Sequence, residues 1–232
     1  LEFRRVLFRS TEFPENIGEL TNLIELDLQN NQLTKLPENI KKLTKLRALY
    51  LSFNKLETLS TNLEELPNFE VLILANNQFK KFPETIINLQ KLISLNLSNN
   101  LLEEIPVNIE QLKNLKSLDF SGNKITQIPK SLGSLTKLTI LDLFSNQIKE
   151  LPDNLGDLNN LEALSLFDNK LSQLPKNIGK LRKLKVLSLS NNQFVVLPES
   201  IGKLSNLMTL DLSSNKLNQV PEDIGNLTKL KV

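Results

Sequence analysis

The chain has 232 residues, with 28 Lys and Arg against 26 Asp and Glu, and it contains neither Cys nor His. Without those two residue types, thiol nucleophiles, disulfides, zinc sites built on nitrogen or sulfur and Ser–His triads are excluded from this segment. No apolar run approaches the ~20 residues that a membrane helix needs.

In chain order, the first element is the decapeptide LEFRRVLFRS, residues 1–10, and nothing after it is similar. It matches, codon for codon, the in-frame translation of a sequencing-library adapter, CTGGAGTTCAGACGTGTGCTCTTCCGATCT. We therefore read it as a non-native, adapter-derived segment and set it aside before reasoning about fold. The rival reading is a basic N-terminal arm for phosphate or an acidic membrane. Setting the segment aside removes three of the 28 basic residues and one of the 26 acidic ones, leaving 25 of each and a formal net charge of zero. The pI of 8.7 then carries no message about nucleic acid, which is bound through clustered Lys and Arg.

From Thr11 the chain keeps a period of 23 residues. Prolines recur at Pro14, Pro37, Pro83, Pro106, Pro129, Pro152, Pro175, Pro198 and Pro221, with Ser60 in the one missing place and Pro67 alone off the lattice. Asparagine keeps the same step from Asn31 to Asn215. Counted from Leu23 as place one, each unit reads L-x-x-L-x-L-x-x-N-x-L-x-x-L-P-x-x-I-x-x-L-x-x, as in LIELDLQNNQLTKLPENIKKLTK, and nine complete units span 23–229 with partial units at both ends. The L-x-x-L-x-L part alternates at period two and predicts a short strand. The I-x-x-L spacing after the proline predicts about one turn of helix. A single unit cannot bury its own row of Leu and Ile, so the units are expected to stack into a solenoid with one apolar column. The sharp start of the pattern and its end at LKV read as an internal fragment of a longer protein, 11–232 being one repeat domain.

Most lattice residues have scaffold roles. Leucine at place four, from Leu26 to Leu210, is core by periodicity, as is leucine at place 21. The Asn side chains offer donors and an acceptor to backbone groups left free where the chain leaves the strand. Proline lacks an N–H and fixes φ, which suits the entry to a short helix. Phe13, Phe69, Phe79, Phe82, Phe120 and Phe194 stand on lattice positions and are expected in the core.

On these motifs, and on endings such as LPKNIGKL and LPESIGKL, the chain resembles the leucine-rich repeats, in the subclass found in Ras-associated scaffolds, plant intracellular relatives and many bacterial proteins. The resemblance implies an α/β solenoid, a horseshoe with a parallel concave sheet and short helical or 3-10 convex segments. It implies recognition of a protein partner, a small GTPase or other signalling protein, with no cofactor and no catalysis, and it favours a cytoplasmic setting over a secreted or bacterial-surface one. A monomer is expected, with neither nucleic acid nor membrane as partner. The competing class is the sensor or substrate-recruiting part of a larger enzyme, such as a kinase, GTPase or ubiquitin ligase, or of a bacterial surface adhesin.

Places three, five, seven and eight are expected to face away from the core, on the concave side. Three phenylalanines fall there and off the lattice: Phe53, Phe144 and Phe167. Phe144 and Phe167 are one period apart and should lie on adjacent strands, about 4.8 Å from each other, with Ile140 beside them. Tyr50, Phe53 and Ile73 form a second apolar group. These six residues are the candidate partner-binding site, because contiguous exposed apolar patches and aromatic anchors mark interfaces. Asp27, Asp119, Asp142 and Asp211 share place five and could act as acid and base or hold a hard cation, but an open sheet encloses no pocket for reaction. The run Lys176, Lys180, Arg182, Lys183 and Lys185 reads as a solvated outer face. The sequons at Asn96 and Asn226 do not establish secretion.

Overall fold

The computed structural model describes residues 15–59 and 61–231; the adapter-like segment, Phe13, Pro14 and Ser60 lie outside the described residues. Nine strands recur once per unit: β1 (Glu25–Asp27), β2 (Ala48–Tyr50), β3 (Val71–Ile73), β4 (Ser94–Asn96), β5 (Ser117–Asp119), β6 (Ile140–Asp142), β7 (Ala163–Ser165), β8 (Val186–Ser188) and β9 (Thr209–Asp211). They form one sheet in chain order. Every pair is parallel and joins like places of adjacent units, as in Leu26↔Leu49 and Asp119↔Asp142. A one-residue slip would turn the leucine row out to solvent, so constant register follows from the unbroken period. Backbone bonding continues past each strand, for example from Leu28 N–H to the Tyr50 carbonyl at 2.8 Å and from Asn30 N–H to the Ser52 carbonyl at 2.9 Å.

The chain then turns at place eight, where every residue adopts positive φ: Asn30, Phe53, Asn76, Asn99, Gly122, Ser145, Asp168, Asn191 and Ser214, between 50° and 63°. Asn, Asp and Gly tolerate this left-handed region best. Phe53 is the bulky exception.

Asparagine at place nine closes the turn as expected. The Asn54 amide donates to the Leu28 carbonyl of the preceding unit at 2.9 Å and to Leu51 of its own at 3.0 Å, and its oxygen accepts the Leu33 N–H at 3.0 Å. The pattern repeats along the ladder through Asn146, Asn169 and Asn192. These side chains are buried, and each is a polar joint between two units.

The convex segments are 3-10 helices, such as Glu38–Lys42, Lys176–Lys180 and Glu199–Lys203. The I-x-x-L spacing explains this choice over α-helix: at three residues per turn, residues i and i+3 eclipse, so Ile40 and Leu43 point into the core together and both are fully buried. Proline stands just before the segment as its N-cap, with φ near −70° at Pro37, Pro83 and Pro198, and its carbonyl accepts the N–H three residues on, as from Ile40 to Pro37. The unit containing Pro106 departs from the rest. Its helix starts late, at Ile109–Gln111, and at the solvent-facing place after the proline, where Glu38 and Glu84 stand in other units, it carries an apolar residue, Val107, 79% exposed.

The core is one apolar column, with Leu49, Leu72, Leu95, Leu118, Leu141, Leu164 and Leu187 fully buried. Phe69, Phe79, Phe82, Phe120 and Phe194 lie in it as expected. Leu210 is only partly buried against this column, whereas Leu26 on β1, the other terminal strand, is 3% exposed.

Glycine at place 19 sets how closely the convex segments approach. A Cβ on Gly202 would lie 2.2 Å from the Asp223 carbonyl oxygen, and one on Gly156 would lie 2.4 Å from that of Asn177. Lys41, Glu64, Ile87 and Glu110 hold this place in other units, and Ile87 is itself buried. Beside the shortened Ile109–Gln111 segment a groove of about 570 Å³ opens among Lys81, Phe82, Glu104 and Val107. A Cβ on Gly225 would meet nothing within 4 Å. Gly202→Ala is therefore expected to lose about 1–3 kcal/mol as overpacking against backbone, while Gly225→Ala stays within about 0.5 kcal/mol. Urea titration of both variants reads the difference, and equal losses would rule out close approach as the reason for glycine.

Candidate functional site

The outer face of the sheet is mostly small and polar, and its apolar residues fall where the repeat positions them. Phe144 and Phe167, at place seven of adjacent units, stack with ring centroids 4.7 Å apart and planes 12° from parallel. Both rings are half-buried, each covering one face of the other. Ile140, at place three of β6, is 42% exposed. Two strands over in the same row, Val186 is also open, at 38%, with Ala163 between them. Val186 was missed in the sequence because valine in a strand is unremarkable by type. Only its column shows that it points outward.

The second group is less compact. Tyr50 and Ile73 are register partners on β2 and β3, and both are partly exposed. Phe53 is 53% exposed. Among the described residues the ring pairs are Phe144–Phe167 and the core pair Phe82–Phe120, so Phe53 stacks on no neighbouring aromatic. Its backbone explains the separation, since the positive φ at place eight swings the side chain out of the strand's alternation. The Tyr50 hydroxyl is held above its ordinary pKa, by partial burial first and then by the nearby charges of Glu25 and Asp27.

The expectation that place seven faces outward needs correction for its small residues. Ser52, Ala75, Ser98 and Ser121 are buried. Gln29 and Ser190 at the same place are partly exposed and Ser213 is exposed, so the correction holds for the units from Leu46 to Asn123 alone.

The place-five carboxylates are met by neutral donors. Asp119 accepts from the Asn96 amide at 2.8 Å, from the Ser121 N–H at 2.9 Å and from its hydroxyl at 2.6 Å. Asp211 accepts the Ser213 N–H and hydroxyl, and these bonds hold its pKa below the usual carboxylate range. Asp142, opposite Asp119 in register, goes the other way: burial and then the Asp119 charge raise its pKa against a hydrogen bond from Ser165. With its folded value raised, ionised Asp142 opposes folding above the unfolded carboxylate pKa and ceases to do so as pH falls below it. Among the described residues no three His, Cys, Asp or Glu side chains gather to hold a metal ion.

The other sequence features are occupied. Asn96 of the first sequon spends its amide nitrogen on Asp119 and its oxygen on the Ser98 N–H and hydroxyl. In the basic run, Lys180 pairs with Asp157 at 3.0 Å and Lys185 with Glu162 at 2.6 Å, while Lys183 donates to Asn160 and Arg182 to the Lys203 carbonyl. It is a laddered outer face, as expected. No helix among the described residues is long and apolar enough to cross a membrane.

Such a face can desolvate aromatic and aliphatic side chains against a partner and offer carboxylates and hydroxyls around them. The known proteins that share the repeat are consistent in architecture. The family model described as "Leucine-rich repeat region" matches residues 84–171 and 155–232, and that for two-copy leucine-rich repeats matches 21–68. No curated protein matches at a significant level. Among solved structures, a leucine-rich-repeat protein of Leptospira interrogans is 31% identical over 96% of this chain and 74% of its own, with a TM-score of 0.57. The plant peptide hormone receptor RGFR1, solved in complex with RGF2, is 31% identical over 94% of this chain with a TM-score of 0.81, and this chain spans 36% of its length. InlJ from Listeria monocytogenes is 27% identical over 93% of this chain and 44% of its own, with a TM-score of 0.79. With nine register-locked units, an unbroken Asn ladder and these matches over most of its length, the chain belongs to the leucine-rich repeat family.

Proposed function

We propose that this chain is a recognition scaffold that binds a protein partner on its concave sheet, with Tyr50, Phe53, Ile73, Ile140, Phe144 and Phe167 as apolar anchors. The stacked Phe144–Phe167 pair, with exposed Ile140 on the same face four residues before Phe144, carries the reading. A half-open ring stack on a rigid sheet gains by further desolvation and loses little side-chain entropy when covered. Phe53 supports it. Holding a phenylalanine at φ 58° costs on the order of 1–3 kcal/mol, and a ring left 53% exposed forgoes about half of the burial that could offset it. The solved relatives named with ligands, RGFR1 with RGF2 and the receptor kinase HAESA with IDA, bind peptides, which favours a protein or peptide ligand here. The resemblance to Ras-associated scaffolds makes a small GTPase or another signalling protein the partner class of choice.

A second reading is a sensor segment of a larger receptor, or part of a bacterial surface protein. The LRR ectodomain of a plant membrane receptor kinase among the solved relatives favours the sensor. The intact gene decides between the two, by the presence or absence of a kinase domain or a surface anchor beside the repeats.

Recognition itself is tested by Phe144→Ser with Phe167→Ser. The double variant is expected to melt near wild type, since the rings stack outside the apolar column, yet to release proteins that the immobilised wild-type domain captures from an extract of its own cells. An unchanged set of captured proteins, or an unfolded variant, removes these rings from the site.

A further inference from the structure

The charge on the concave face is one-sided. The 36 residues at places three, five, seven and eight of the nine units include Glu25, Asp27, Asp119, Asp142, Asp168 and Asp211 and no Lys or Arg, in a chain that carries 28 basic and 26 acidic residues. The missing cations are elsewhere. The salt bridges among the described residues, Lys41–Glu65, Arg47–Glu70, Lys180–Asp157 and Lys185–Glu162, all lie off these places. The five aspartates among them meet neutral donors: Gln29 for Asp27, Asn96 and Ser121 for Asp119, Ser165 for Asp142, Ser145 and Asn191 for Asp168, and Ser213 for Asp211.

The apolar surface and the charge coincide at the centre. Asp142 lies two residues before Phe144, Asp168 directly follows Phe167, and Asp119 is the register partner of Asp142. Asp119 and Asp142 thus occupy the strand row next to the rings, Asp168 stands at the turn beside them with its carboxylate on Ser145 and Asn191, and none of the three accepts from a cation. The face of an aromatic ring attracts a cation, and guanidinium matches a carboxylate in two-point geometry. We propose that the partner presents a cationic segment to this face, an extended stretch in which Arg or Lys alternates with apolar side chains, the apolar ones covering Ile140 and the Phe144–Phe167 stack while the cations meet Asp119, Asp142 and Asp168. The inference rests on the concave-face reading above and adds the chemistry of the ligand.

The experiment is selection of a displayed random peptide library on the wild-type domain. The enriched peptides are then measured individually against Asp119→Asn with Asp142→Asn, against Asp168→Asn, and against Phe144→Ser with Phe167→Ser. The Asn variants keep side-chain shape, and thermal melts confirm that they fold. The expected result is enrichment of Arg- and Lys-bearing apolar peptides whose affinity falls about tenfold in the Asp119/Asp142 variant, as for a partly desolvated charge pair, and weakens with added salt. Enriched peptides that are neutral or acidic but still lost in the Phe variant would overturn the charge inference and leave concave binding standing. Enriched peptides indifferent to the Phe variant, or no enrichment at all, would overturn both.

Discussion

Asn146→Ala is expected to lower the unfolding free energy by about 3–5 kcal/mol, more than most surface-to-alanine changes approach. Its amide donates to the Phe120 carbonyl of the preceding unit at 3.0 Å and to the Leu143 carbonyl at 3.1 Å, and its oxygen accepts the Ile125 N–H at 3.0 Å. The two carbonyls keep a second asparagine each, Asn123 on Phe120 and Asn169 on Leu143. Ile125 loses its partner outright. An orphaned buried donor costs about 1–3 kcal/mol, and each lost but replaceable bond about 0.5–1.5 kcal/mol. Asn31 is the control: its amide reaches carbonyls of its own unit, Leu28 at 3.0 Å and Gln29 at 3.3 Å, so Asn31→Ala should cost about 1 kcal/mol. Urea titration of both variants, with hydrogen exchange at the Ile125 amide, reads the contrast. Equal losses would mean that the ladder does not couple units.

Leu141→Ala is expected to cost about 2–5 kcal/mol. Leu141 is fully buried between Leu118 and Leu164 in register, so truncation leaves a void that two rigid neighbours cannot close. Leu210 holds the same lattice place and is partly buried, so Leu210→Ala should cost well under half as much, because transfer energy scales with the area removed from water. Stability in a stack is a sum of unit and junction energies, so the interior variant should also lose cooperativity in its melt. Matching losses at the two positions would mean that place, and not burial, sets the energy.

How far each residue was legible depends on what its role requires. Asn54 and Ile40 were legible because a role repeated nine times leaves a column in the sequence, and a column needs no coordinates. The proximity of Phe144 to Phe167 was legible for the same reason: one period apart means side by side on a parallel sheet. Phe53 was assigned to its patch by spacing alone, yet it stands apart from Tyr50. The warning lay in its own column, where Asn, Gly, Ser and Asp mark a left-handed turn. Val186 escaped notice because its type is ordinary and only its outward direction matters. The buried serines at place seven escaped because burial there differs between units of like sequence, Ser121 being buried and Ser213 exposed.

The sequence by itself determined the period, the parallel register, the apolar column, the Asn ladder and the alignment of Phe144 with Phe167. Each is a local pattern that can be satisfied only by stacking like on like, so recurrence alone specifies it. The tertiary structure decided which outer side chains stay open, where a groove opens beside the short Ile109–Gln111 segment, how little covers Leu210, and which neutral donors the concave aspartates meet. These depend on what a neighbour 23 residues away covers or leaves bare, and that is a property of the packed surfaces and not of any one unit.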